Sequence, residues 1–242
     1  MFSRLLHSLP SMYSSPSEIS SSPATMRRAV DIAGCVIYHE SAGKLNGAEI
    51  AFGGALARGP KQDNYFVLET QAQGNFGWLP YQGQLKLQAF AHLAGGTDCV
   101  EYWHWHSIHN AVESYWKGVL SHDGEPGETY REAAEIGRLF GELSPRLLHL
   151  KKRNRVAVMV GNRSLSGMQW FLACRQDLTP ERNYNDYLRW ICDSLYRLNI
   201  EYDIIFDREE KLLHYKIVFL PCLYAAPESL LRSVRDYVRR GA

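Results

Sequence analysis

The sequence predicts an α/β protein built from parallel strand–helix units, and three observations carry that prediction. Short apolar runs suited to strands buried on both faces recur along the 242 residues. Stretches of helical character alternate with them, which is the rhythm of parallel βα connections. The composition is that of a globular chain, 45% hydrophobic and 22% charged. A largely disordered or fibrous protein is thereby excluded, and the length allows one or two domains with a sizeable core.

The elements follow in order. Residues 1–28 are rich in Ser and Pro with Glu18 as their one acid, and are expected to be a disordered lead. Their start lacks the continuous apolar region of a working signal. The run VDIAGCVIYH, Val30 to His39, is a first buried strand, and residues 48–58 form a helix weakened by Gly53 and Gly54. NYFVLET, Asn64 to Thr70, is a second strand. After a long loop, QLKLQAFAHLAG is a helix closed by Gly95 and Gly96. TDCVEYWHWH is a third strand, and GETYREAAEIGRLFGELSP is a helix that starts near Glu128 or Thr129 and stops at Pro145. A second α/β run begins after the basic cluster Lys151-Lys152-Arg153, so a domain boundary is placed near 150. It comprises the strand RVAVMVGN, the helix DYLRWICDSLYRLN, the strands EYDIIFD and YKIVFLP, and a helix over 228–240.

Charge is balanced, 27 Lys and Arg against 26 Asp and Glu, which gives no general pull toward nucleic acid or an anionic membrane. No run of about 20 apolar residues exists to make a spanning helix. Cys35, Cys99, Cys174, Cys192 and Cys222 are scattered and form no C-x-x-C pair, so they read as buried thiols of a reducing, cytoplasmic compartment. Aromatics reach 12%, and four of the six Trp fall between Trp78 and Trp116. Such crowding suits a binding cleft or an aromatic core equally.

Several residues could carry chemistry. Glu69 ends the apolar run YFVL, where its side chain must leave the core at the strand's C-terminal mouth. In parallel α/β folds that rim gathers reactive groups. A carboxylate there, followed by Thr70, Gln71, Gln73 and Trp78, suits a hydroxyl-rich ligand. A strand-end acid paired with a nearby Arg or Lys fits the same residue. In YWHWH, alternation puts Trp103 and Trp105 on one face and Tyr102, His104 and His106 on the other. His104, His106 and His109 could chelate a metal, but no acid stands at a convincing spacing, so no metal or other cofactor is expected. Glu113 and Trp116 follow in AVESYWKG and could grip and stack on a sugar, although a solvated loop acid is the plainer reading. Tyr38 ends the first strand at a rim position equivalent to that of Glu69. Cys222 in LPCLY lacks the flanking glycines of a nucleophile elbow, and Gly161 is followed by no dinucleotide fingerprint.

The run LETQAQGNFGWLPYQGQLKLQAFAHLAGG, continued by YWHWHSIHNAVESYWKGVLSHDG, resembles the β-galactosidases of glycoside hydrolase family 42. The resemblance implies the C-terminal part of a (β/α)8 TIM barrel over residues 29–150. Over 151–242 it implies the start of a flavodoxin-like or amidotransferase-like α/β domain that assembles trimers. Carried over residue by residue, the nucleophile falls on Glu69 and the Tyr that bonds it on Tyr38. The sugar contacts fall on Trp78, Trp103 and Glu113. Trp116 stands where many members have His, and Val36 where an Asp is expected.

A retaining glycosidase needs a second carboxyl about 5–5.5 Å from the nucleophile as general acid/base. In the family that group is a Glu preceded by Asn on an earlier strand, and no strand ending in Asn-Glu occurs here. The expectation is therefore a fragment with three of eight barrel strands, carrying the nucleophile half of a β-galactoside site and inactive or nearly so alone. Its open strand edges predict poor solubility. The alternative function is a non-catalytic module that binds carbohydrate or assembles with a partner chain supplying the missing strands.

Overall fold

A computed structural model describes residues 5–7, 30–38, 47–73, 79–114, 116–170, 184–207 and 212–241. Two parallel sheets organise them. The first has the order β1-β2-β3-β4, formed by β1 (Leu5–His7), β2 (Ile32–Val36), β3 (Tyr65–Gln71) and β4 (Thr97–Trp103). Its helices are α1 (Ala48–Arg58), α2 (Gln84–Gly95) and α3 (Glu128–Leu147). The second sheet has the order β6-β5-β7, with β5 (Val156–Val160), β6 (Asp203–Phe206) and β7 (Ile217–Phe219). It carries α4 (Asn162–Trp170), α5 (Tyr184–Arg197), a short 3₁₀ turn at Leu212–His214 and α6 (Glu228–Arg239).

The first sheet differs from expectation by one strand. Leu5–His7 pairs in parallel register with Ile32–Gly34, so this part of the lead is ordered against the β2 edge. Three residues are too few to show a period in sequence, which is why composition hid them. The rest of the lead lies outside the described residues, as do Trp78 and Cys174.

Alternation decides which side of the first sheet faces the helices. Ala33 and Cys35 on β2, Ile37 just beyond it, and Tyr65 and Val67 on β3 are buried together with Ala57 of α1. On β4, Tyr102 packs with Leu85 and Ala89 of α2 and Ile136 and Phe140 of α3. The opposite side therefore carries Gly34, Val36, Phe66 and Cys99, by register and by period two. The connection from α2 to β4 turns at Gly96, whose φ of 97° lies in the left-handed region that favours glycine.

α3 runs through Pro145 to Leu147 instead of stopping at it. Proline in the last turn forfeits one backbone donor and its ring crowds the preceding turn. The Leu148 N–H still reaches the Ser144 carbonyl at 3.0 Å, so the end of the helix is capped beyond the proline. α4 is an element that no sequence signal marked. It follows directly on the β5 strand at Gly161, where NRSLSGMQW carries too few apolar residues to show a helical period.

The two sheets meet through α1. Ala55 is buried in the core that β5, β6 and α5 form, and Phe52 and Leu56 pack against it. At its C-terminal end, Arg58 is 7% exposed. Its guanidinium donates to the Gly95 carbonyl at 2.5 Å, to the Tyr202 carbonyl at 3.1 Å and to Asp203 at 3.0 Å. Asp203 accepts further bonds from Asn154 at 2.8 Å and Tyr215 at 3.1 Å. Second-sheet residues bury both faces: Val158 and Val160 toward α5, Ala157 and Met159 toward α6. That double burial explains why VAVMV reads as an uninterrupted apolar run. No helix among the described residues is long and apolar enough to cross a membrane.

Candidate active site

A bulge in β3 brings the principal acid to the open side. Cys35 pairs with Val67, but the next residue, Val36, pairs with Glu69, so Leu68 is an extra residue on β3. Strict alternation would send Glu69 to the helix side with Tyr65 and Val67. The extra residue instead sets it opposite Val36, on the face that Tyr38 shares two residues on. The Tyr38 hydroxyl donates to Glu69 Oε1 at 2.8 Å. Beyond the acid, Gln71 pairs with Trp103, so that indole belongs to the same open face.

Burial, the hydrogen bond to Glu69 and the charges of Glu69 and then Glu113 all push the Tyr38 hydroxyl far above its ordinary range. Tyr38 therefore stays protonated and stays a donor. The same balance shows that Glu113, 44 residues further along than Glu69, lies within electrostatic reach of the pair. Trp116 closes that side, its ring edge-on to Tyr38 with centroids 5.5 Å apart.

The loop that presents Glu113 is tied at its base. Val119 N–H donates to the His104 carbonyl at 2.7 Å, Leu120 N–H to the Trp105 carbonyl at 2.8 Å and Ser107 N–H to the Leu120 carbonyl at 2.9 Å. Ser107, fully buried, receives the Gly118 N–H at 3.0 Å. A Cβ at Gly118 would lie 2.6 Å from the His106 carbonyl carbon, so only glycine lets the two segments touch. At the tip, Trp116 N–H donates to the Glu113 carbonyl at 2.9 Å.

His104 completes the cluster. It follows Trp103 through a cis peptide bond, and the two rings lie 5.2 Å apart. Burial first, then His106, holds its pKa below the ordinary histidine value, against the opposing pull of the His106 backbone and Glu113. The imidazole is thus neutral at neutral pH.

The structure separates Trp105 from Trp103. β4 ends at Trp103, and period two lapses with it. Trp105 instead lies edge-on to Tyr130 of α3, 6.1 Å away. It lines an open apolar cavity of about 490 Å³ on the helix side with Tyr102, Val119 and Phe140. Among the described residues no group of three or more His, Cys, Asp or Glu side chains could hold a metal ion. From sequence, His104 is a metal ligand or a rim histidine that simply hydrogen-bonds, and its place beside Glu113 depends on a loop closure with no sequence signature.

Glu69, Tyr38, Trp103, Glu113 and Trp116 thus converge on one rim, with Trp78 outside the described residues. A carboxylate held by a protonated phenol and ringed by indoles can act as a nucleophile toward a sugar. A family model described as "Beta-galactosidase", glycoside hydrolase family 42, matches residues 19–143, just over half of the chain. Among curated proteins, the chain is 28% identical over 192 residues to the β-galactosidase BgaP of Planococcus sp.. It is 28% identical over 197 residues to the β-galactosidase BgaA of Clostridium cellulovorans. These alignments take in 77% and 79% of this chain but only 28% and 29% of those proteins. Among solved structures it superposes on a β-galactosidase from Bacillus circulans sp. alkalophilus with a TM-score of 0.75 at 24% identity, over 89% of this chain and 32% of that one. The match to the cold-adapted β-galactosidase of Rahnella sp. R3 has a TM-score of 0.78 at 20% identity, over 91% and 33%. At these identities the structural likeness establishes the fold, an α/β arrangement of TIM-barrel type.

Proposed function

Because the chain belongs to the β-galactosidases of glycoside hydrolase family 42, we propose that it carries the nucleophile side of a retaining β-galactoside site. Glu69 attacks the anomeric carbon and forms a covalent galactosyl ester as the aglycone oxygen departs. A general acid contributed by residues beyond this sequence protonates that oxygen and later activates water. Tyr38 holds the attacking carboxylate in place. Trp78, Trp103 and Trp116 offer flat faces to the apolar side of the pyranose, and Glu113 accepts from its hydroxyls. The observation that carries this reading is the 2.8 Å bond from Tyr38 to Glu69, on the face where register also sets Trp103.

The chain spans little more than a quarter of the length of the curated relatives it matches. The substrate, the trimeric assembly through the second sheet and the cytoplasmic setting are parts of the same proposal. Free thiols at Cys35, Cys99 and Cys192 fit a reducing compartment.

The test bypasses the acid. A 2,4-dinitrophenyl leaving group departs without protonation, and a 2-fluoro substituent slows breakdown of the ester. Incubating this chain with 2,4-dinitrophenyl 2-deoxy-2-fluoro-β-galactoside should release dinitrophenolate and add one fluorogalactosyl group at Glu69, read by peptide mass spectrometry. Glu69→Gln should remain unlabelled. Labelling of that variant at the same rate would place the nucleophile on another residue, and binding of galactosides with no ester formed would leave the non-catalytic carbohydrate-binding reading in its place.

A further inference from the structure

Within the proposed galactoside site, and resting on that reading, we infer that His104 is a direct sugar contact whose Nε2 accepts a hydrogen bond from a substrate hydroxyl. Two observations lead there. His104 Nε2 is buried and has no hydrogen-bond partner. A buried imidazole nitrogen without a partner costs free energy, so its persistence calls for a ligand group that satisfies it. The ring also stands between two groups assigned to the sugar, with Trp103 at 5.2 Å and Glu113 within electrostatic reach.

The tautomer gives the direction of the bond. The His106 backbone lies near the His104 ring and favours its protonated form. We assign the ring proton to Nδ1, which leaves the unpartnered Nε2 as the acceptor. A neutral imidazole with its proton on Nδ1 presents a lone pair at Nε2. The charged and titratable groups acting on the ring are His106, Glu113 and His122, and burial with the two histidines outweighs Glu113, so the ring stays neutral. Glu113 and His104 are then both acceptors, and together they select for a pair of donating hydroxyls. A ligand offering an acceptor at that position would leave both unsatisfied.

The experiment uses the full chain labelled with ¹⁵N in its histidine rings, titrated with isopropyl β-D-thiogalactoside. His104 is assigned from the signal lost in His104→Gln. Saturating ligand should shift the His104 Nε2 resonance in the direction of an accepted hydrogen bond and leave Nδ1 nearly unmoved. His104→Ala should weaken binding roughly five- to tenfold, the range for one neutral hydrogen bond. His104→Gln, whose amide oxygen can still accept, should stay within about twofold, and both variants should keep the far-ultraviolet circular dichroism of the parent. An unmoved Nε2 resonance together with equal affinity for His104→Ala overturns the inference. If Glu113→Gln still weakens binding in that case, the galactoside reading survives alone. A parent chain that binds no thiogalactoside overturns both.

Discussion

The C-terminal rims of the two sheets are built to the same plan and use their polar groups in opposite ways. At the second rim, several polar groups are bonded to one another within the chain. Asp207 pairs with Arg163 at 3.2 Å. The Ser164 hydroxyl donates to the Ala225 carbonyl at 3.0 Å and receives the Ala225 N–H at 3.1 Å. Gly161 N–H donates to the Tyr184 hydroxyl at 2.9 Å. At the first rim, Tyr38 and Glu69 bond each other, but His104 Nε2 is left over and Glu113 stands exposed on its loop. The first rim thus leaves an acceptor and an exposed acid beside the Tyr38–Glu69 pair, whereas these second-rim groups tie the fold together.

The largest test of this comparison asks whether the two rims belong to one folding unit. Arg58 is the joint: its guanidinium meets Gly95 of the first unit and Tyr202 and Asp203 of the second. Arg58→Ala removes a buried charge and strands Asp203, a loss of about 3–5 kcal/mol. Urea unfolding followed by tryptophan fluorescence should show a matching fall in the midpoint. A variant within about 1 kcal/mol of the parent would mean that the units fold independently.

Much of this arrangement is legible in sequence, and the exceptions share a cause. Helices 48–58 and 84–95 occur with the bounds expected, because their glycine brackets and apolar spacing are local signals. Tyr38 and Glu69 are legible as rim residues since each ends an apolar run. Their contact is not, because it depends on the extra residue Leu68 and on register between strands. Trp105 parts from Trp103 because the strand stops between them, and alternation extrapolated past a strand end has no physical basis. His104 became visible only when Gly118 and Ser107 closed the loop upon it. Leu5–His7 escaped because three residues are too short to show a period, and α4 because it has too few apolar residues to declare one.

Paired substitutions sharpen the contrast between rims. Tyr38→Phe removes a charge-assisted hydrogen bond worth about 1.5–3 kcal/mol and should slow labelling by the fluorogalactoside about ten- to hundredfold. Its thermal stability should change little, since the phenyl ring still fills the space beside Trp116. Asp207→Ala should do the reverse. It leaves the labelling rate within about twofold and lowers stability by about 1–2 kcal/mol, since Asp207 is largely buried against Arg163. Slower labelling in Asp207→Ala, measured by dinitrophenolate release, would show that the second rim reaches the site after all.

The last effect concerns a property the two units share. Burial pushes the thiol of Cys35 in the first unit and of Cys192 in the second up to about 12. A raised folded-state pKa means that the stabilisation is complete below the ordinary thiol value and is lost as pH rises through about 12. Between those limits the unfolded chain releases protons that the folded chain retains, so stability falls as pH climbs above about 9. The buried Tyr38 hydroxyl acts with the same sign from about pH 10 upward. Urea midpoints should therefore decline from pH 8 to pH 10.5. At pH 8 a disulfide reagent should modify the partly exposed Cys99 and Cys222 well before Cys35 and Cys192. Since one thiol reports on each unit, equal protection of Cys35 and Cys192 under rising urea supports a single cooperative body. Earlier exposure of Cys192 would place the weaker half of the molecule in the second sheet.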